Sequence, residues 1–392
     1  MACLSYIEEG RLMMKHNPRV LILTACYGEG HLQAARSLKQ SFHGHGVDDV
    51  EIMDLMKEAH PVIDKITATL YIKSMLTAQF GFDYYAWSYY MTKSAKPDAG
   101  FARFINNLGK KKLKEKLERD RPDAVICTFP FGAVPELCSR LGIAAYTIVT
   151  DFTMHSRWIQ PKMDKYYVAT EELMHQLVSN GFGREQIEVS GIPIRPVFEE
   201  SALECNPYRS VFDPTRKLIL ILAGSYGVLG NVDEMIQQLQ QIEDVQLAVV
   251  CGRNAKLLQK LNEKVAGTNH IHIFGFVEDI HHLMLLSSCI VTKAGGLTLS
   301  EALALEIPIF IYKPFAGQEK ENALYLQNKH LAFVSDHTEA LARQIEQFLS
   351  EEIYNTDMKR RIRQFKKVQS ADYIISDILK QIRAPRLEPV LV

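Results

Sequence analysis

With 392 residues the chain exceeds what one compact core usually supports, and 47% hydrophobic against 23% charged residues, without a long low-complexity tract, exclude a disordered chain. Two domains of roughly 150 to 200 residues are predicted. The 45 Lys and Arg balance 46 Asp and Glu to a net charge of −1, which excludes bulk attraction to nucleic acid or anionic lipid and leaves only local patches to provide it.

In chain order, β-branched runs alternate with helical periodicity. Strands are predicted at "RVLILTA" (19–25), "VEIMDL" (50–55), "DAVICTF" (123–129), "AAYTIVT" (144–150), "KYYVAT" (165–170) and "IEVSG" (187–191). The pattern restarts at "KLILILAG" (217–224), "VQLAVVCG" (245–252), "HIHIFGFV" (270–277), "CIVTKAGG" (289–296), "IPIFIYK" (307–313) and "LAFVSD" (331–336). Continuous apolar strands belong to parallel sheets covered by helices on both faces, so the fold class is α/β with two doubly wound, Rossmann-like units. A proline-rich, weakly periodic stretch after Gly191 reads as the linker. The expected domains are 1–195, 196–369 and an amphipathic C-terminal stretch, 370–392, crossing back onto the first domain. Facing domains aim the carboxyl ends of both sheets at one cleft, where α/β sheets bind ligands. No stretch approaches about 18 apolar residues, the N-terminus lacks a signal-type apolar core, and seven scattered cysteines form no CxxC. A soluble or peripheral protein of a reducing cytoplasm is expected.

The chemistry-bearing residues lie after the strands. "YGEGHLQAA" lacks the third glycine of a dinucleotide fingerprint; its His31 opens a helix at the cleft, placed for acid–base work or for orienting a substrate, though a plain turn explains the glycines equally well. "IVTDFTMHSRW" puts Asp151 and His155 beyond a strand of the first domain, candidates to deprotonate an attacking hydroxyl. In "AGSYGVLGN", Gly224, Ser225 and Gly227 expose amides and a hydroxyl to a phosphate or sugar. "TKAGGLTLSEALA" follows with Lys293, Gly295, Gly296, a helix beginning near Leu297, and Thr298, an arrangement that fits a diphosphate. Glu301, one turn in, can accept two ribose hydroxyls; an ordinary capping box is its plainer reading. Gln318, Glu319 and Asn322 of "KPFAGQEKENA" can meet the hydroxyls of a hexose. No HExxH, paired CxxC or Asp-x-Asp spacing indicates a metal.

Together "YGEGHLQAA", "VTDFTMHSRW", "DKYYVATEEL", "SGIPIRPVFEE", "AGSYGVLGN", "VTKAGGLTLSEALA" and "YKPFAGQEKENA" resemble the bacterial processive diacylglycerol glucosyltransferases, relatives of the monogalactosyldiacylglycerol synthases. The resemblance spans about residues 17 to 380. It implies a GT-B fold, a UDP-sugar donor as substrate with no cofactor, inverting transfer without metal, and a peripheral enzyme on the cytoplasmic face of the cell membrane. Carried over, Gly295, Gly296, Leu297 and Thr298 resemble the diphosphate site, Glu301 the ribose ligand, and Gln318, Glu319 and Asn322 the donor-sugar block. Phe276 and Val277 resemble the uracil segment, Ser225 and Gly227 the loop facing the phosphates, and His31 and His155 the acceptor-side histidines. Ser225 with its neighbouring tyrosine, and Ala294 where the family pattern has proline, depart from the glucosyltransferases and put the donor sugar in doubt.

The insertion 60–121 mixes apolar and aromatic residues, among them Trp87, Tyr89 and Tyr90, with a basic cluster that includes Lys110, Lys111, Lys112 and Lys114. That is the composition of an interfacial membrane element, or of core helices with a solvated face. The leading expectation is glucose transfer from UDP-glucose to diacylglycerol, processively, with anionic membrane lipids as partners and no nucleic acid. A galactosyl or N-acetylglucosaminyl transferase, a UDP-sugar 2-epimerase and a non-enzymatic nucleotide-sugar sensor are the alternatives.

Overall fold

Each predicted apolar run forms a strand in the computed structural model, which describes residues 17–25, 29–59, 109–199 and 206–383. The first sheet contains β1 (Val20–Thr24), β2 (Val50–Asp54), β3 (Ala124–Cys127), β4 (Ala144–Ile148), β5 (Lys165–Val168) and β6 (Ile187–Val189). Its helices are α1 (Gly30–Gly44), α2 (Leu55–Ala59), α3 (Lys110–Asp120), α4 (Val134–Leu141) and α5 (Glu171–Ser179). The second sheet contains β7 (Lys217–Leu222), β8 (Val245–Val250), β9 (Ile271–Phe274), β10 (Cys289–Thr292), β11 (Ile309–Tyr312) and β12 (Ala332–Ser335). Around it lie α6 (Val232–Leu239), α7 (Ala255–Lys264), α8 (Ile280–Leu286), α9 (Gly296–Ala304), α10 (Gln318–Asn328), α11 (Thr338–Ser350) and α12 (Glu352–Phe365), followed by α13 (Ser370–Arg383).

Both sheets are parallel, with orders β2-β1-β3-β4-β5-β6 and β12-β11-β10-β7-β8-β9. The chain reverses its direction of travel between β1 and β3 and between β7 and β10, and it is outside the carboxyl ends at such reversals that a crevice opens. His31 follows the first of these, and the 223–227 and 293–296 loops flank the second. Strands β1, β3, β4, β7, β8, β10 and β11 are buried almost throughout, and β1, β7 and β8 carry the near-continuous Val, Ile and Leu that double coverage by helices demands.

The last helix crosses back. Ile374, Ile375, Ile378 and Leu379 of α13 share a core with Val20 and Ile22 of β1 and Leu38 and Phe42 of α1. Asp377 accepts from Lys165 Nζ and Tyr167 Oη, both at 2.7 Å, so this carboxylate meets a cation and a hydroxyl where α13 packs on the first sheet. The thiols of Cys127, Cys138, Cys251 and Cys289 are free and buried. No described helix is long and apolar enough to cross a membrane.

On α3, Leu113 and Leu117 are buried while its lysines face outward. Lys110 pairs with Glu136 at 2.7 Å, Lys114 with Glu118 at 3.7 Å, and Lys116 with Glu51 and Asp120, so part of the expected basic surface is neutralised, by carboxylates of α3 itself and by Glu51 and Glu136 from other segments; Lys111 and Lys112 are exposed. Trp87, Tyr89 and Tyr90 lie outside the described residues. Ile378→Ala, which empties a fully buried position between α13 and the first sheet, is expected to cost about 2–5 kcal/mol, read as a lower urea midpoint at unchanged m-value.

Candidate active site

The cleft is built where two helix starts meet. Gly30 opens α1 and Gly296 opens α9; a Cβ on Gly30 would sit 3.9 Å from the Leu297 Cβ. Gly296 is pressed harder: a Cβ there would lie 2.3 Å from the Thr150 carbonyl oxygen and 3.2 Å from Asp151 Oδ1. Its neighbour Gly295 has open space around the same position. The two glycines predicted as one anion-binding pair therefore do different things. Gly296 admits the first domain's backbone, whereas Gly295, the helix N-cap in extended conformation, faces the opening. Thr298 is partly exposed and Leu297 buried.

Across that contact the loop after β4 is bracketed by α10. Gln318 Nε2 donates to the Thr153 carbonyl at 3.1 Å and to Thr153 Oγ1 at 2.9 Å. Asn322 Nδ2 donates to Asp151 Oδ1 at 3.0 Å and to the Ala294 carbonyl at 3.2 Å, while its Oδ1 accepts from the Phe152 amide at 3.0 Å. Asn322 is fully buried and both its N–H groups are committed to protein, which corrects the expectation that it meets a hexose. Glu319 is different. Lys293 Nζ holds its Oε1 at 2.7 Å, and its Oε2 is buried with no hydrogen-bond partner among the described residues. The Lys293 stem runs beside Gly224, whose Cβ would lie 3.3 Å from Lys293 Cε.

Burial shifts the ionisable groups of this cleft. Desolvation raises Asp151 to about 6, helped by the Glu319 charge and opposed by the Asn322 hydrogen bond. Glu301 rises to about 7 for the same leading reason, with Arg195 pulling the other way. His31 falls to about 4 by desolvation, opposed by a hydrogen bond to the Thr128 backbone, so its ring is neutral at pH 7. A carbonyl only accepts, so the ring N–H faces Thr128 and Nδ1 accepts the Thr150 hydroxyl at 2.9 Å. Phe129 meets the imidazole edge-on at 5.3 Å. His155 is buried, and its Nδ1 accepts from the Arg157 amide at 3.1 Å as the cap of the short turn Ser156–Trp158. The cluster thus joins His31, Asp151, Gly296, Glu319 and Asn322, while His155 caps a turn of the same loop.

At the other side of the opening, the loops after β7 and β8 lock together. A Cβ on Gly227 would clash with Asn254 Cβ at 2.5 Å and one on Gly252 with the Gly224 carbonyl at 2.4 Å. Gly227, at φ 59°, is thus required by loop packing rather than by a phosphate. Arg253 lies 4.6 Å over the half-exposed Phe276 ring, its amide donates to the Ser225 carbonyl at 2.8 Å, and its guanidinium pairs with Glu29 of the first domain. Arg195 donates to the Glu278 carbonyl at 3.2 Å, just past Val277. Thr150, Thr153, Glu29 and Arg253 escaped sequence reasoning; only the position of Thr150 beside Asp151 offered any signal.

A family model for monogalactosyldiacylglycerol (MGDG) synthase matches residues 31–194, and one for glycosyl transferases group 1 matches residues 209–365. The processive diacylglycerol beta-glucosyltransferase of Bacillus mycoides (strain KBAB4) is 41% identical over 390 residues, covering 96% of this chain and 99% of its own. That of Bacillus thuringiensis (strain Al Hakam) is also 41% identical, over 94% and 95% of the two chains. This chain belongs to the processive diacylglycerol β-glucosyltransferase family.

Solved structures similar in fold include the S. aureus MnaA-UDP co-structure (TM-score 0.64, 14% identity, 95% of this chain and 99% of that one) and Acinetobacter baumannii MurG (TM-score 0.60, 16% identity, 93% and 100%). The architecture they share with this family member is GT-B, two Rossmann-like domains around a cleft. Gly296→Ala is expected to lower the unfolding temperature by a strain of about 1–3 kcal/mol, whereas Gly295→Ala stays within about 0.5 kcal/mol of the parent; thermal melts without ligand read the difference.

Proposed function

We propose that the protein transfers glucose from UDP-glucose to the free hydroxyl of 1,2-diacylglycerol with inversion, and then onto the glucose of its own product. The observation that carries this is Glu319: a carboxylate held on one side by Lys293, its other oxygen buried and unpartnered among the described residues, beside the start of α9 and in the field of Asp151. A sugar hydroxyl donating to Oε2 would satisfy that oxygen. The family relatives supply the chemical identity of donor and acceptor.

In this reading the diphosphate meets the N–H groups of the first turn of α9 and the Thr298 hydroxyl, at the positive end of the helix. Ribose hydroxyls reach Glu301, and uracil lies along Phe276 and Val277. Asp151 is the general base. It stands on the opposite domain from the donor helix, and a value of about 6 leaves it ionised at neutral pH yet basic enough to take a proton. The acceptor O–H gives its proton to Asp151 as its oxygen bonds to the anomeric carbon. The bond from that carbon to the β-phosphate oxygen breaks, and its electron pair leaves with UDP, whose new charge falls on the α9 amides. His31, neutral and engaged at both nitrogens, positions Thr150 and thereby the base loop; His155 keeps that loop's turn. No cofactor enters, UDP-glucose being a substrate. Because diacylglycerol resides in a bilayer, we place the enzyme peripherally at the cytoplasmic face, where the exposed Lys111 and Lys112 favour anionic lipid.

Incubation with diacylglycerol liposomes and UDP-glucose, UDP-galactose or UDP-N-acetylglucosamine separately, with product masses read out, is expected to give mono- and diglucosyl lipid only from UDP-glucose. Preferred transfer from another donor overturns the choice of sugar. Asp151→Asn is expected to lower kcat by about 10²–10⁴-fold with UDP affinity retained. Because the base acts ionised, the parent's kcat/KM should rise through pH 6 and fall about tenfold for each unit below it. An acid limb near pH 4 would point to His31 instead.

A further inference from the structure

We propose that Asn322 is the positioning residue of the general base: from the donor-side helix it grips the Asp151 carboxylate, so that the base is oriented only while the two domains are closed. This rests on Asp151 being the base, as read above.

The geometry is specific. One amide N–H of Asn322 goes to Asp151 Oδ1 at 3.0 Å and the other to the Ala294 carbonyl at 3.2 Å, immediately before the two glycines of the α9 start. Its oxygen takes the amide of Phe152, the residue next to the base, at 3.0 Å. Asn322 therefore holds the base, the backbone beside the base and the strand end of the phosphate site in one three-point bracket. Full burial fixes its orientation and prevents water from replacing it.

Every other charged or titratable group around Asp151 leaves the carboxylate without such a donor. Glu319, also on α10, repels its charge, and Lys293 is occupied with Glu319. His31 on α1 is bonded to Thr150, while α9 presents only the backbone of Gly296. The one described side chain that donates to the carboxylate belongs to the other domain. When the cleft opens, Asp151 loses that donor and Phe152 its backbone anchor, so the carboxylate is no longer held in one orientation. Proton abstraction is thereby tied to closure over the donor.

The bracket and a sugar contact predict different kinetics. In Asn322→Asp, a carboxylate of the same shape faces Asp151, and the acid limb of kcat/KM should move up by more than about one pH unit. Transfer at pH 7 then falls at least about tenfold and recovers as pH rises. Asn322→Ser, which loses the reach to Asp151, should move the limb in the same direction by less. In both, KM for UDP-glucose and UDP affinity by calorimetry should stay within about twofold of the parent. A tenfold rise in KM with the limb unmoved would overturn the proposal and make Asn322 a sugar ligand. A fall in kcat and in unfolding temperature with an unmoved limb would overturn it in favour of a purely structural bracket. The base reading is tested apart from this: full transfer by Asp151→Asn removes it whatever the Asn322 variants do.

Discussion

The site depends on one close approach, the carbonyl oxygen of Thr150 lodged 2.3 Å from where residue 296 would carry a Cβ. Only glycine lets a helix start press so closely on a neighbouring main chain. From that contact the rest of the cleft takes its dimensions: Asn322 reaches Asp151 and Phe152, Gln318 reaches Thr153, and Glu29 meets Arg253 on the far side. Toward the linker the same closure stacks Phe152 on Tyr325 and brings Lys329 and Tyr325 to Glu172. Apolar, amide and charged contacts lie along a single seam, and a side chain at 296 would wedge its middle.

Closure is also what sets the electrostatics. Asp151 is raised, Glu301 is raised and His31 is lowered, and in all three the leading cause is removal from water. Their nearest countercharges are weak or already engaged: Lys293 is paired with Glu319, and Arg253 with Glu29. Acceptors kept dry and short of donors among the described residues, such as Glu319 Oε2 and Glu29 Oε2, carry a desolvation cost that a hydroxylated ligand can relieve. The polarity of the cleft thus favours a neutral sugar near α10 and an anion at the α9 amides.

The twelve strands were legible because their residues are mostly apolar or β-branched, continuously so in central strands such as β1, β7 and β8, but the reading overran their carboxyl ends. The run "HIHIFGFV" continues to Val277, yet β9 stops at Phe274; "CIVTKAGG" continues to Gly296, yet β10 stops at Thr292. Apolarity does not mark where ladder hydrogen bonding ceases, and the crevice lies in that overrun. Individual roles were harder. Gly296 reads as room for an anion because the carbonyl that needs the room lies in another domain. Asn322 reads as a sugar ligand because a polar block looks alike whether its partners are hydroxyls or a carboxylate brought by folding. The lysines of α3 read as a membrane patch because Glu51 and Glu136, which neutralise two of them, are remote in sequence.

The fold alone does not choose the chemistry, since 2-epimerases and glycosyltransferases share it. Choice falls to what the first domain presents to a sugar held by the second. An inverting displacement needs its base on the face away from the leaving group, and a base on the domain opposite the phosphate helix meets that need by construction. The base proposed here, Asp151, sits one residue after the carbonyl that Gly296 accommodates, and is held by an amide three residues after the carboxylate expected to hold the hexose. Donor recognition, domain closure and proton removal are therefore three aspects of one packed seam, and none can be displaced without shifting the others.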